Sequence, residues 1–420
     1  MPESSTKNSA VPARRRAGVR HYVPRLLLAL VVFLVTLKLA DVLVGWAGGT
    51  QTRHRLRLAP NAELRHKSRE FDYVFRTNKL GLRGPDVPFV KPAGTFRIVV
   101  LGDSFVAGYG VADEHVLTRL IEQELAGPRA EPGARFEVVN VGRVGTSTIR
   151  ELDLYESLGR KFQPDLVILA YYLGNDLAEV VQEQTDDELA GWTPPGRVRQ
   201  AAYVCFPNLY LELAMVRQSR KQLREFTRRG ESEILDDVRQ EAVARGRDPA
   251  AAADRYQSLS SELRADVASG VLSEQRIIDS CIEPDRLVRA LDPDDHEFAV
   301  SWPRTKSHLD RLQAAVVRDG AKLAVVAIPA PFQLDPESLE FHRKLGYEAR
   351  DSWLSEAPRT AVTLAAWARD RDVPYLNLTA QFRELKGPLY FVEDVHFNPE
   401  GNARAAEAIV RFVRDRKLCP

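Results

Sequence analysis

Short apolar runs rich in β-branched residues recur along this chain with helix-patterned segments between them. That rhythm leaves few folds open. Residues 98–101, 136–141, 165–171, 322–328 and 373–378 read as strands, being brief, apolar and in part halted by glycine. Between and around them, residues 114–125 place Val116, Leu117, Leu120, Ile121 and Leu125 at helical spacing, with a polar opposite face. Residues 148–162, 309–317 and 399–413 read as helices too. Strands that are apolar almost throughout, separated by helices, predict a parallel sheet covered on both faces. The expected fold class is therefore α/β: a three-layer sandwich around a central parallel sheet of about five strands.

In such a sheet the C-terminal ends of the strands lie on one edge, where ligands bind. The first strand ends in Gly102-Asp103-Ser104, the second in a turn holding Gly142 and Gly145, and the third in Gly174-Asn175-Asp176. One place in space thus receives a hydroxyl, a flexible glycine turn and a carboxamide. A helix starting at the serine would aim backbone N–H groups at that hydroxyl, a geometry suited to a nucleophile and an oxyanion. Each tripeptide alone is also ordinary turn and N-cap chemistry; the three together, followed by His396 ahead of a C-terminal helix, point to nucleophilic catalysis.

These blocks resemble the SGNH hydrolases, the GDSL-type lipase/esterase family. The serine block is Gly102-Asp-Ser-Phe105, and the glycine block is Asn140-Val-Gly-Arg-Val-Gly-Thr146. The asparagine block is Gly174-Asn175-Asp176, and the histidine block is Glu393-Asp-Val-His-Phe-Asn-Pro-Glu-Gly401. The resemblance covers about residues 96–182 and 305–415, and Thr77-Asn-x-x-Gly-Leu-Arg83 looks like membrane-anchored bacterial members. It implies a flavodoxin-like sheet, Ser104 as nucleophile and His396 as general base and acid. The implied oxyanion hole is the Ser104 N–H, the Gly145 N–H and the Asn175 amide. Many members carry Asp three residues before the histidine, where this chain has Glu393. Asp394 stands two before, as in other members, and is the expected partner of His396, with Glu393 as its rival.

The N-terminus carries Arg14, Arg15, Arg16 and Arg20, then an apolar run over residues 26–47. About 22 residues make roughly 33 Å of helix, enough to cross a bilayer. Lys38 and Asp41 can pair on one face of it. The arginines predict a cytoplasmic tail (1–25), so everything beyond about residue 48 is expected outside the cytoplasm. A cleaved signal peptide ending at Gly45-Trp46-Ala47 is the alternative. Residues 48–95 read as a connecting segment with one strand-like stretch at 71–75.

Residues 183–304 interrupt the α/β rhythm and, charged and helix-favouring at 209–245 and 251–268, read as a mostly helical insertion. It emerges at the site edge, as a lid or as a solvated decoration. Asp292-Pro-Asp-Asp-His296 reads as a solvated loop rather than a metal site. Cys205 and Cys281 would be able to pair outside the cytoplasm. A net charge of +1 gives no reason to expect nucleic acid, and no cofactor or metal motif is present. The resulting expectation is a membrane-anchored serine esterase, with hydrolase domain segments 96–182 and 305–420, acting on a lipid, small acyl ester or acylated glycan. An O-acyltransferase on envelope polysaccharide and a non-catalytic binding module are the alternatives.

Overall fold

The computed structural model describes residues 22–47, 60–127, 133, 135–180, 197–210, 213 and 228–420. The chain divides into two compact units. One comprises residues up to Arg53 with Thr193–Arg217; the other comprises His54–Trp192 and Gln218–Pro420. The basic tail and residues 214–227 of the expected helical stretch lie outside the described residues.

The larger unit opens with an antiparallel hairpin, β1 (Glu63–Lys67) and β2 (Asp72–Arg76). Its sheet follows: β3 (Thr95–Gly102), β4 (Arg135–Gly142), β5 (Leu166–Tyr172), β6 (Lys322–Ile328) and β7 (Tyr375–Asn377). All adjacent pairs are parallel, in the order β4-β3-β5-β6-β7. From β3 the chain goes first to β4 on one side and then crosses to β5 on the other, so the strand order reverses beside β3. This is the flavodoxin-like order, whose reversal point leaves a crevice at the carboxyl ends of the strands. Ile98, Val99, Val100 and Leu101 of β3 and Leu166 to Leu169 of β5 are fully buried. Packing on both faces explains why these strands read as unbroken apolar runs.

Helices Thr148–Ser157 and Asp295–Arg318 pack together, as do Leu117–Leu125 and Pro399–Asp415. Boundaries differ from the sequence reading where short 3₁₀ turns intervene. Residues 113–115 form one such turn ahead of Leu117, and Gly159–Phe162 form another after Ser157.

Between Glu231 and Leu291 five helices follow one another, four of them around a core of their own that includes Ile234, Val238, Tyr256, Ile277 and Cys281. Burial pushes the Cys281 thiol up to about 11, and all three cysteines are free, Cys205 being exposed. In the Asp292–His296 stretch Asp294, Asp295 and His296 are exposed, as expected of a solvated turn, but the stretch starts a helix at Asp295 and its carboxylates are engaged. Asp292 accepts from the Trp353 indole and, at 2.9 Å, from the Arg359 N–H. Asp294 caps the next helix through Glu297 N (2.7 Å), and Asp295 pairs with Arg359 at 2.8 Å. The carboxylates serve to join two helices, a use that local composition does not distinguish from a surface turn.

Candidate active site

The register of the sheet brings the predicted blocks together. Gly102, the last residue of β3, pairs with Gly142 of β4 and Ala170 of β5, so the chain segments that follow all leave from one edge. After β3 the Asp103 carboxylate accepts from Phe105 N (2.9 Å) and caps a single helical turn, Ser104–Ala107. This places Ser104 at the first helical position, with only 8% of its surface exposed. After β4, Asn140 ties the glycine turn to that helix: its amide donates to Val106 O (2.6 Å) and Thr118 Oγ1 (3.2 Å), and its oxygen accepts from Gly142 N (2.9 Å). Gly145 in this turn has φ +71°, a conformation that a side chain would strain. Asn175 directly follows the β5 exit loop at the start of the turn Asp176–Glu179, whose Asp176 carboxylate is buried and accepts from Tyr172 N (2.9 Å).

His396 arrives from the other end of the chain. Its loop is a narrow pinch: Phe391 N donates to His396 O (3.1 Å) and Asn398 N to Leu389 O (3.1 Å). Asn398 then caps helix Pro399–Asp415 through Gly401 N (2.9 Å). A Cβ on Gly401 would lie 1.9 Å from Leu389 O, so only glycine lets the helix start this close to the loop. The pinch delivers His396 Nε2 to 2.6 Å from Ser104 Oγ. On the far side of the ring, His396 Nδ1 meets Asp394 Oδ1, and the same oxygen accepts from His396 N at 3.0 Å. The ring sits between the aromatic groups of Tyr109 and Phe105, with centroids 4.7 and 5.1 Å away.

Of the two candidate acids, it is Asp394 that reaches His396. Glu393 turns outward to Arg69 in the β1–β2 turn (2.6 Å), and Arg69 also pairs with Asp266 (2.9 Å). Beside it, Glu70 accepts from Val392 N (2.5 Å) and Glu393 N (2.9 Å). The segment before β3 is therefore more than a connector, since the tip of its hairpin clasps the histidine loop. Arg83 adds a second clasp, a buried guanidinium donating to Val111 O (2.6 Å) and Asp113 (2.8 Å) and to the carbonyl of Gly108.

Sequence reasoning missed Arg276. It lies in helix Glu274–Ile282, inside the insertion, and its guanidinium is 3.3 Å from Asp394 Oδ2. Burial by itself would raise the Asp394 pKa. The neighbouring His396, then Arg276, and the hydrogen bonds from His396 outweigh it and hold the carboxyl well below the usual range. Asp394 is thus an anion with each oxygen engaged. Such an arrangement holds one imidazole tautomer against the hydroxyl and can draw its proton. Among the described residues no group of three or more His, Cys, Asp and Glu is placed to hold a metal ion.

Residues 293–419 match the model of the family described as "SGNH hydrolase-like domain, acetyltransferase AlgX". A search of curated proteins returns no match. Among solved structures the chain is similar to TesA, at 12% identity and a TM-score of 0.35, over 77% of this chain and 99% of that one. It is similar to the psychrotrophic esterase EstA from Pseudoalteromonas sp. at 10% identity and a TM-score of 0.34, over 76% and 98%. It is also similar to a putative lipolytic protein of the G-D-S-L family from Desulfitobacterium hafniense, at 10% identity and a TM-score of 0.33, over 76% and 99%.

Proposed function

The chain carries an SGNH hydrolase-like domain, and from that premise we propose that it cleaves a carboxylic ester through a covalent seryl intermediate. The observation that carries this reading is the 2.6 Å approach of His396 Nε2 to Ser104 Oγ, with Asp394 on the opposite ring nitrogen. In the reading, Ser104 Oγ attacks the acyl carbon as its proton passes to His396. The carbonyl oxygen takes up negative charge, which the Ser104 N–H, Gly145 N–H and Asn175 amide stabilise. His396 then gives its proton to the leaving alkoxide. A water follows, losing a proton to His396 as it attacks the acyl-enzyme; as the acyl–Oγ bond breaks and the acid leaves, His396 returns that proton to Ser104 Oγ. Asp394 accepts from Nδ1–H throughout and so keeps Nε2 free to act as base. Arg276 is the positioning residue behind Asp394.

The catalytic domain would act outside the cytoplasm, held by the N-terminal helix. Val23–Trp46 is long and apolar enough to span a bilayer and almost wholly uncovered, and the arginines before it favour a cytoplasmic N-terminus. Lipid esters, small acyl esters and acylated glycans all suit that location.

A second reading, transfer of the acyl group to a sugar hydroxyl in place of water, is favoured by one observation. The family model that matches residues 293–419 is described as an acetyltransferase. Full-length protein in detergent, assayed with p-nitrophenyl acetate beside Ser104→Ala, separates the readings. Steady turnover that disappears in the variant supports the esterase. A single stoichiometric burst that becomes turnover only when a glycan acceptor is added supports the transferase. No serine-dependent release of nitrophenol sinks both and leaves the binding module.

A further inference from the structure

The N-terminal helix Val23–Ala47 exposes most of its described side chains, except along one narrow face. Leu37, Ala40, Asp41, Val44 and Gly45 recur at the spacing of one helix face and are covered, Asp41 to 1% exposure. What covers them within the same compact unit is residues 197–210, from the insertion. This segment is a helix, Arg197–Cys205, broken ahead of Pro207 and helical again over residues 207–210. A proline there cannot continue the hydrogen-bond ladder, so the break leaves a carbonyl end and an amide end unmatched.

Lys38 and Asp41 fill that break. Lys38 Nζ donates to Cys205 O (2.9 Å), the carbonyl end, and to Asp41 Oδ2 (3.1 Å). Asp41 Oδ1 accepts from Leu209 N (3.0 Å), the amide end, and the Asn208 amide donates to Asp41 O (3.1 Å). Each charge meets the helix end of opposite polarity. Two features costly in hydrocarbon, an ion pair and a broken helix, thereby satisfy one another. The sequence agrees: residues 200–211 contain no Asp, Glu, Lys or Arg. The outward side chains include Val198, 84% exposed, and Val204, 67% exposed. A dozen residues give only about 18 Å of helix, too short to cross.

We propose that residues 200–210 are a second membrane-embedded element. It is a kinked, non-spanning segment that packs on the anchor helix at Asp41 and buries its outward face in lipid. The proposal rests on the membrane-anchor reading above. It means that the larger unit, whose chain is interrupted between Trp192 and Gln218, is tied to the bilayer twice along its sequence.

The test uses full-length protein in phosphatidylethanolamine/phosphatidylglycerol vesicles, with the native cysteines replaced and an environment-sensitive fluorophore on single cysteines. Val204→Cys is compared with Leu30→Cys in the anchor and with Val317→Cys on the exposed surface of helix Asp295–Arg318. Doxyl-labelled lipid should extinguish most emission at 204 and 30 and leave 317 unchanged. Quenching at 30 without quenching at 204 overturns the proposal and leaves the anchor standing. Absence of quenching at 30 overturns the anchor reading, and the proposal with it. An independent check is oxidative cross-linking of Gly45→Cys with Asn208→Cys, positions in direct contact. An intramolecular disulfide is expected in vesicles, and its absence overturns the docking.

Discussion

The Arg276 guanidinium contacts the Asp394 oxygen that His396 leaves unused, at 3.3 Å. The insertion thus reaches the partner of His396, and the two candidate acids sit in different networks, Asp394 with Arg276 and Glu393 with Arg69. Asp394→Asn should lower kcat by about 10⁴-fold, the loss seen when an orienting aspartate favours the wrong tautomer. Glu393→Gln should retain most activity at some cost in thermal stability. Comparable losses in both variants would reject the assignment of Asp394.

Arg276→Gln tests the positioning role separately. Its charge is one of the causes that hold the Asp394 carboxyl low. Removing that cation makes protonation of the Asp394 carboxyl easier. The acidic limb of kcat/KM should therefore move to higher pH, whereas a purely structural residue would lower activity without displacing that limb. Arg276→Lys should restore part of the profile, as it keeps the charge and loses the fork.

Asn175→Ala addresses the oxyanion hole. Removal of one such donor typically costs about 2.7–4 kcal/mol of transition-state stabilisation. A drop of about 10²–10³ in kcat with little change in KM is expected, measured on an ester substrate. Equal effects on kcat and folding stability would indicate that the side chain only holds its turn.

His342 predicts an acid-labile fold. It is buried against Phe332 and Tyr347. Burial first, and then the charge of Arg276, lower its pKa to about 4. The native state therefore binds fewer protons than the unfolded chain between about pH 6.5 and 4. Stability should be complete above pH 6.5 and fall through that window, by on the order of 3 kcal/mol. Urea unfolding across this range should show a shallower slope for His342→Gln.

Gly401→Ala should damage stability and catalysis together. The new methyl would collide with Leu389 O, and relief would pull the start of the last helix away from the histidine loop. Overpacking of this kind typically costs about 1–3 kcal/mol. Unchanged melting with unchanged turnover would show that the pinch is slack.

Much of this was legible beforehand because buried parallel strands announce themselves. The runs at 98–101 and 166–171 can be apolar on both faces only inside a covered sheet, and their polar ends then have to share an edge. Ser104 and His396 stood in local contexts that fix where they point. Arg276 did not, because it is one arginine among many in a charged helical stretch, and its role comes from the packing of that stretch over the site. The use of Glu393 was hidden for the same reason. Its partner, Arg69, lies 324 residues away in a hairpin that shows no catalytic pattern. The role of the Asp292–His296 carboxylates as a helix junction depends likewise on Trp353 and Arg359, far along the chain.

Ser104 and His396 stand 292 residues apart, and that separation has a temporal meaning. A ribosome finishes Ser104, its strand and helix Val23–Ala47 long before it reaches the histidine loop. Throughout that interval Ser104 has no imidazole of His396 beside it. A chain released before residue 396 would therefore carry all five strands of the sheet and still lack the partner of Ser104.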